Sequence, residues 1–273
     1  MRRRDFLTIC SVGVAWPLAG RAQQSAVARS VFQVQGLDHV SLSVADGQRT
    51  IDFYRPIFGQ EIFLRPNTKA EFRISLGGES YLAINPGRSV QAGTVDHFSI
   101  GVTESPDQIR SILTREGLGF TDALYVKGQD GAFVQVSQSA DVNPTGSIRL
   151  YPRTAAVASL EPVFRPRRLD MVTVTVTSLD TSAGLFRTLC GPESRRTKGE
   201  LDFKIGRGTL VVRETQPGAH PGINHFSVLV DRYDHAKAAG RLKTLGTELR
   251  KAASGAYLID SDGIVVYLAE APL

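Results

Sequence analysis

The chain is poor in thiols: its 273 residues include two cysteines, Cys10 and Cys190. With Cys10 in a segment read below as removable, Cys190 stands alone and no internal disulfide framework is available. A membrane-spanning run is missing as well. The run from Leu7 to Leu18 is interrupted by Gly13 and Pro17 and falls short of the ~20 residues a spanning helix needs. No dense basic cluster follows it, because Arg165, Arg167 and Arg168 read as charge on a linker. That argues against a nucleic-acid partner.

What is present begins at the N-terminus. Arg2, Arg3 and Arg4 form a basic region, the short apolar run follows, and Gly20 and Ala22 supply the small residues of a cleavage site after Ala22. The stretch Arg3-Arg4-Asp5-Phe6-Leu7 resembles the twin-arginine export motif, with Arg2 where Ser or Thr is usual and Thr8 where Lys is frequent. Arg21 near the cleavage point agrees with that route. The expectation is a leader over residues 1–22, export of a folded protein, and a periplasmic location. Removing it lowers the formal net charge from +5 to +2, so the basic balance belongs largely to the leader.

The remainder repeats itself. Four strand openings are alike: Leu37-Asp38-His39-Val40-Ser41, Asp96-His97-Phe98-Ser99, Leu169-Asp170-Met171-Val172-Thr173 and Asn224-His225-Phe226-Ser227. Each starts a run of period two, then a helix-compatible pattern, then short strands. Asp46 and Gly59 bracket the first helix, Ser105-Pro106 and Gly117 the second, while Gly191 and Gly246 end the third and fourth. The unit is βαβββ. One helix leaves a single unit's strand set incompletely covered, so units should pair around shared clefts. The expected fold is α+β, four βαβββ modules in two half-barrel pairs, residues 31–151 and 169–270. The proline-rich segment 152–168 reads as the linker.

These openings, with Asp46-Gly47 through Tyr54 and Gly59, resemble the vicinal oxygen chelate superfamily of glyoxalases, bleomycin-resistance proteins and type I extradiol dioxygenases. The fragment Tyr257-Leu258-Ile259-Asp260-Ser261-Asp262-Gly263 resembles the turn before a module's last strand, with Ser261 in place of the usual proline. The resemblance implies a half-barrel fold and a divalent ion (Fe, Mn, Ni or Zn) held by first-strand histidines and a last-strand glutamate. It does not select one reaction, because one fold hosts many chemistries.

In the N-terminal pair, His39 and His97 occupy the histidine positions and are the expected metal ligands. The glutamate is not apparent. Arg149, in Gly146-Ser147-Ile148-Arg149-Leu150, stands where the last strand would carry it, and Leu82 stands at the corresponding place in the first module. In the C-terminal pair His225 remains, but Met171 and Tyr267 replace the other ligands, and residues 251–255 lack the dioxygenase histidine. Glu214 is a substitute candidate. Arg149, Met171, His225, Tyr257 and Tyr267 are expected to line substrate clefts, and Asp38, Asp96 and Asp170 to face solvent. Three readings follow: a metal-dependent dioxygenase, lyase or isomerase acting on a small oxygen-rich or aromatic compound, a metal-free sequestration protein of the bleomycin-resistance type, or a structural role for a decayed pair that leaves at most one working cleft. The expected partner is a small molecule, with a homo-oligomer left open and no stable membrane insertion after cleavage.

Overall fold

The computed structural model describes residues 29–59, 62–64, 72–78, 80–86, 93–128, 132–139, 161–252 and 255–272. The leader, the Arg149 segment and most of the expected linker lie outside the described residues.

The first module is β1 (Val34–Val44), α1 (Gly47–Phe58), β2 (Ile62–Leu64), β3 (Phe72–Ser75) and β4 (Tyr81–Pro86). The second is β5 (Thr94–Val102), α2 (Pro106–Arg115), β6 (Tyr125–Lys127) and β7 (Phe133–Gln138), with Phe120 adding a single bridge to Val126. The third is β8 (Pro166–Val176), α3 (Leu179–Cys190), β9 (Glu193–Arg196), β10 (Glu200–Ile205) and β11 (Gly208–Glu214). The fourth is β12 (Gly222–Val230), α4 (His235–Thr244), β13 (Arg250–Ala252), β14 (Gly255–Ile259) and β15 (Val265–Glu270). The α+β fold of repeated modules is therefore as expected.

Helix boundaries follow the capping residues. Asp46 accepts from the backbone N–H groups of Gln48 and Arg49, and Gly59 closes α1 at φ 64°. Ser105 and Gln108 form a reciprocal capping box on α2. Asp234 caps α4 through Ala236 and Lys237.

Within each module the last strand runs parallel to the first: β4 beside β1, β7 beside β5, β11 beside β8 and β15 beside β12. First strands pair antiparallel, β1 with β5 and β8 with β12. Among the described residues the sheets of the two halves pair at Ile223 and Val95. Alternation sends Val40, Leu42, Val44, Phe98, Ile100, Val172, Val174, Phe226 and Val228 into the core beneath the helices, all at most 1% exposed. The opposite, concave face carries the polar residues. Cys190 lies buried in the core, and burial pushes its thiol up to about 12.

The halves also clasp each other. The β3–β4 turn reaches the start of β8, and the β10–β11 turn reaches the start of β1. Cβ atoms added at Gly77 and Gly206 would stand 2.4 Å from Pro166 O and 1.8 Å from Gln35 O, and both glycines have positive φ. On another side, Asp262 accepts from Arg49 and Thr50 of α1, while Tyr54 donates to Asp260 at 2.8 Å. Tyr54→Phe is expected to cost about 1–2 kcal/mol, read as a lower urea midpoint with unchanged slope.

The expected linker is shorter than its prolines suggested. Val163 and Phe164 are buried, and their backbone N–H groups donate to Pro56 O and Ile57 O of α1. Strand β8 already starts at Pro166. Arg167 and Arg168 are thus strand residues, paired with Asp231 and Asp170.

Candidate functional site

The concave face of the N-terminal half brings His39 and His97 together. Their Nε2 atoms are 3.1 Å apart, and the rings meet edge to face. They are 5% and 3% exposed, so each needs partners. Those partners are the preceding aspartates: His39 Nδ1–H donates to Asp38 Oδ2 at 2.6 Å and His97 Nδ1–H to Asp96 Oδ2 at 2.8 Å.

This overturns the expectation that Asp38 and Asp96 face solvent. The β1–β5 ladder skips both residues: Leu37 and His39 pair with Ile100 and Ser99, while Ser41 and Leu42 pair with His97 and Val95. Each aspartate is the extra residue of a β-bulge, which turns its carboxylate back toward the neighbouring imidazole. The C-terminal half repeats the device, skipping Asn224 and Asp170. There Asn224 Oδ1 receives His225 Nδ1–H at 2.7 Å, while Asp170 pairs with Arg168.

With both Nδ1 protons engaged, two Nε2 lone pairs face each other. That arrangement is repulsive unless a proton or a metal ion lies against both. Two ligands at right angles around one ion, each at about 2.1 Å, would themselves stand about 3 Å apart. A carboxylate behind each imidazole is also the usual way metal-bound histidines are oriented.

Where the glutamate would stand, the register points to Gln135. In the fourth module Ser227 pairs with Tyr267, and in the second Ser99 pairs with Gln135. The equivalent last strand among the described residues is therefore β7, and the segment 146–150 with Arg149 lies outside them. Gln135 donates its amide N–H to Ala123 O at 3.0 Å. In the first module the concave position is Ala83, paired with Ser41; Leu82 points into the core, fully buried. Among the described residues no group of three His, Cys, Asp or Glu side chains could hold a metal ion. What the structure does bring together is the two imidazoles, with Gln135 at the register position of the missing carboxylate.

Aromatic rings flank the pair. Tyr81 stacks on His39 with centroids 4.6 Å apart, and Tyr125 meets His97 edge-on at 4.7 Å. Arg73, buried on β3, sits 4.5 Å over the outer face of Tyr81. Sequence reasoning missed Gln135, Tyr81, Tyr125 and Arg73. For Gln135 a signal existed: Asp130-Gly131-Ala132-Phe133-Val134-Gln135-Val136 parallels Asp262-Gly263-Ile264-Val265-Val266-Tyr267-Leu268.

The C-terminal half gathers its expected residues without a metal set. His225 and Tyr267 rings lie 4.7 Å apart, and Tyr257 lies 5.4 Å from Tyr267. Met171 pairs with Ser227 where His39 pairs with Ser99. Glu214 is excluded as a substitute ligand, because it is exposed at the end of β11 and accepts from Leu179 N. His220 and His235 lie on the surface.

Burial, reinforced by the Arg213 charge, lowers His225 to about 4. Its unfolded value is near 6.5, so the unfolded chain takes up the proton first as pH falls. Stability contributed by neutral His225 is full above pH 6.5 and is lost from there toward pH 4. Melts of wild type and His225→Gln across that range are expected to diverge, with wild type losing more.

No protein-family model and no curated protein matches the sequence. Solved structures do match in fold. The halotolerant catechol dioxygenase BphC is 14% identical at TM-score 0.63, covering 88% of this chain and 87% of its own. The 2,3-dioxygenase LapB from Pseudomonas sp. KL28 is 14% identical at TM-score 0.63, over 89% and 94%. The Mn(II)-bound glyoxalase from Novosphingobium aromaticivorans is 15% identical at TM-score 0.60, over 88% and 83%. The fold is thus the βαβββ fold shared by vicinal oxygen chelate dioxygenases and glyoxalases.

Proposed function

We propose that this chain is an exported, divalent-metal-dependent enzyme of the vicinal oxygen chelate type, acting on a small oxygen-rich or aromatic compound in the N-terminal cleft. The observation that carries the reading is the convergence of His39 Nε2 and His97 Nε2 at 3.1 Å, each ring held from behind by an aspartate. His39, His97 and the Gln135 amide oxygen would hold the ion, one of Fe, Mn, Ni or Zn. When bound, it would supply Lewis-acid activation of two neighbouring substrate oxygens.

The chain's own groups do the rest. Asp38 and Asp96 keep the Nδ1 protons in place, so both Nε2 atoms stay available. Tyr81 braces the His39 ring, and Tyr125 adds an aromatic wall beside His97 for an aromatic substrate. Arg73 places a positive charge behind Tyr81, 4.5 Å from its ring centre. The other half, with Met171, His225, Tyr257 and Tyr267, reads as a cleft that binds small molecules without a metal. Export through the twin-arginine route rests on Arg3-Arg4-Asp5-Phe6-Leu7 and gives a periplasmic protein. A route that carries folded chains suits one loaded with its ion beforehand.

The test is to load the full chain separately with Fe²⁺, Mn²⁺, Ni²⁺ and Zn²⁺ and assay each form against a panel of catechols. About one ion per chain and turnover by at least one loaded form are expected. Binding of a catechol by metal-free protein, with no turnover in any loaded form, would sink the reading. Gln135→Glu supplies the missing anion and should tighten metal binding by about tenfold or more, measured by competition with a chromophoric chelator.

A further inference from the structure

A cavity of about 960 Å³ lies between the two halves, at the centre of the clasp formed by the two turns. It is distinct from either concave cleft. Its walls come from the start of β1 (Gln35 to Asp38), the start of β8 (Pro166 to Leu169), and both clasping turns through Gly78 and Arg207. Leu37, Leu169, Leu229 and Pro272 give it apolar surface. The volume is in the range of sites that enclose drug-sized molecules.

Its charge is one-sided. Arg167, Arg168 and Arg207 line it, against Asp38 as the one acidic residue of the lining. Asp38 is already committed to His39, Arg167 to Asp231, and Arg168 Nη2 to Asp170. Arg168 remains partly exposed, with Nη2 on Asp170 and its Nε closed off from solvent without a partner, so its guanidinium edge is what faces the cavity. Arg207 is exposed to the cavity region and makes no ion pair or side-chain hydrogen bond among the described residues.

The repeat shows that the fold does not demand these arginines. Aligning Leu37-Asp38 with Leu169-Asp170 sets Gln35 and Gly36 against Arg167 and Arg168. One half presents a neutral pair and the other two cations at the same two positions. Gly36 has nothing within 4 Å of where a Cβ would stand, so the neutral side leaves space that the cationic side faces.

We propose that this inter-half cavity is a binding site for a small anion, a carboxylate- or phosphate-bearing molecule with an apolar body, held by Arg168 and Arg207. Guanidinium forks suit both kinds of oxyanion, and the leucine and proline walls take the remainder of the ligand. The site does not depend on a metal at His39 and His97.

Isothermal titration of the full chain at low ionic strength, with phenyl phosphate and with benzoate as probes, tests this. Saturable binding of at least one probe is expected. It should weaken at least tenfold in Arg207→Ala and in Arg168→Gln. The probe that binds more tightly identifies the oxyanion. Arg207 is an exposed turn residue, so its variant should keep the wild-type melting temperature. Absence of saturable binding by either probe, or binding that both arginine variants leave intact, would overturn the proposal. Because metal-free protein is used throughout, failure here leaves the metal-centre reading standing, and the reverse also holds.

Discussion

Replacing His39 or His97 by alanine is expected to strip the chain of its divalent ion, with affinity falling more than about 100-fold in each variant. Outer partners of a metal-bound histidine are each worth about 10- to 100-fold, and removing the ligand itself must exceed that. The bulged aspartates give the graded control. Asp38→Asn and Asp96→Asn keep the shape but weaken the acceptor behind each ring, so they should fall in the 10- to 100-fold range. Ion content after dialysis, with titration against a chelator of known affinity, reads the whole series. The His variants should fold normally, because both side chains lie on the concave face and not in the core beneath the helices. If His39→Ala and His97→Ala retain the ion at wild-type affinity, the centre is elsewhere.

Gly206→Ala is expected to be the most damaging conservative change in the C-terminal half. Its φ of 56° costs an L-residue about 1–2 kcal/mol, and the new methyl would stand 1.8 Å from Gln35 O of the other half. Backbone must move to admit it, which adds roughly 1–3 kcal/mol. A fall in melting temperature of about 10 °C follows from the sum. Gly246→Ala separates the two contributions, since its φ is 76° and nothing lies within 4 Å of the new atom. It should lose only the backbone part. Equal losses in the two variants would mean that the clasp does not bind the halves.

Much of the fold was legible because its determinants are local. Asp46, Ser105, Gly59 and Gly246 mark helix ends by hydrogen bonds and dihedrals within a few residues, and period two marks which strand face is buried. The metal pair was legible for a similar reason, as His39 and His97 open two matching strands. The third position was not. Segment 146–150 carries the glycine and apolar spacing of a last strand, while β7 carries it too. Which of two successive segments lies parallel to β5 is decided by tertiary pairing. The bulges at Asp38 and Asp96 were hidden for a related reason: strict alternation sends adjacent side chains to opposite faces, and a skipped residue breaks that rule without a mark in the sequence. Arg73 looked like any polar residue on an alternating strand, and its burial depends on Tyr81.

Cys190 carries a last consequence. With its thiol pushed up to about 12 inside the core, essentially no thiolate exists at neutral pH to attack a disulfide, capture a stray metal ion or react with peroxide. A chain whose Cys190 is held this way needs no disulfide catalyst for that residue. It should not cross-link to its neighbours, and its activity should be indifferent to the redox poise around it.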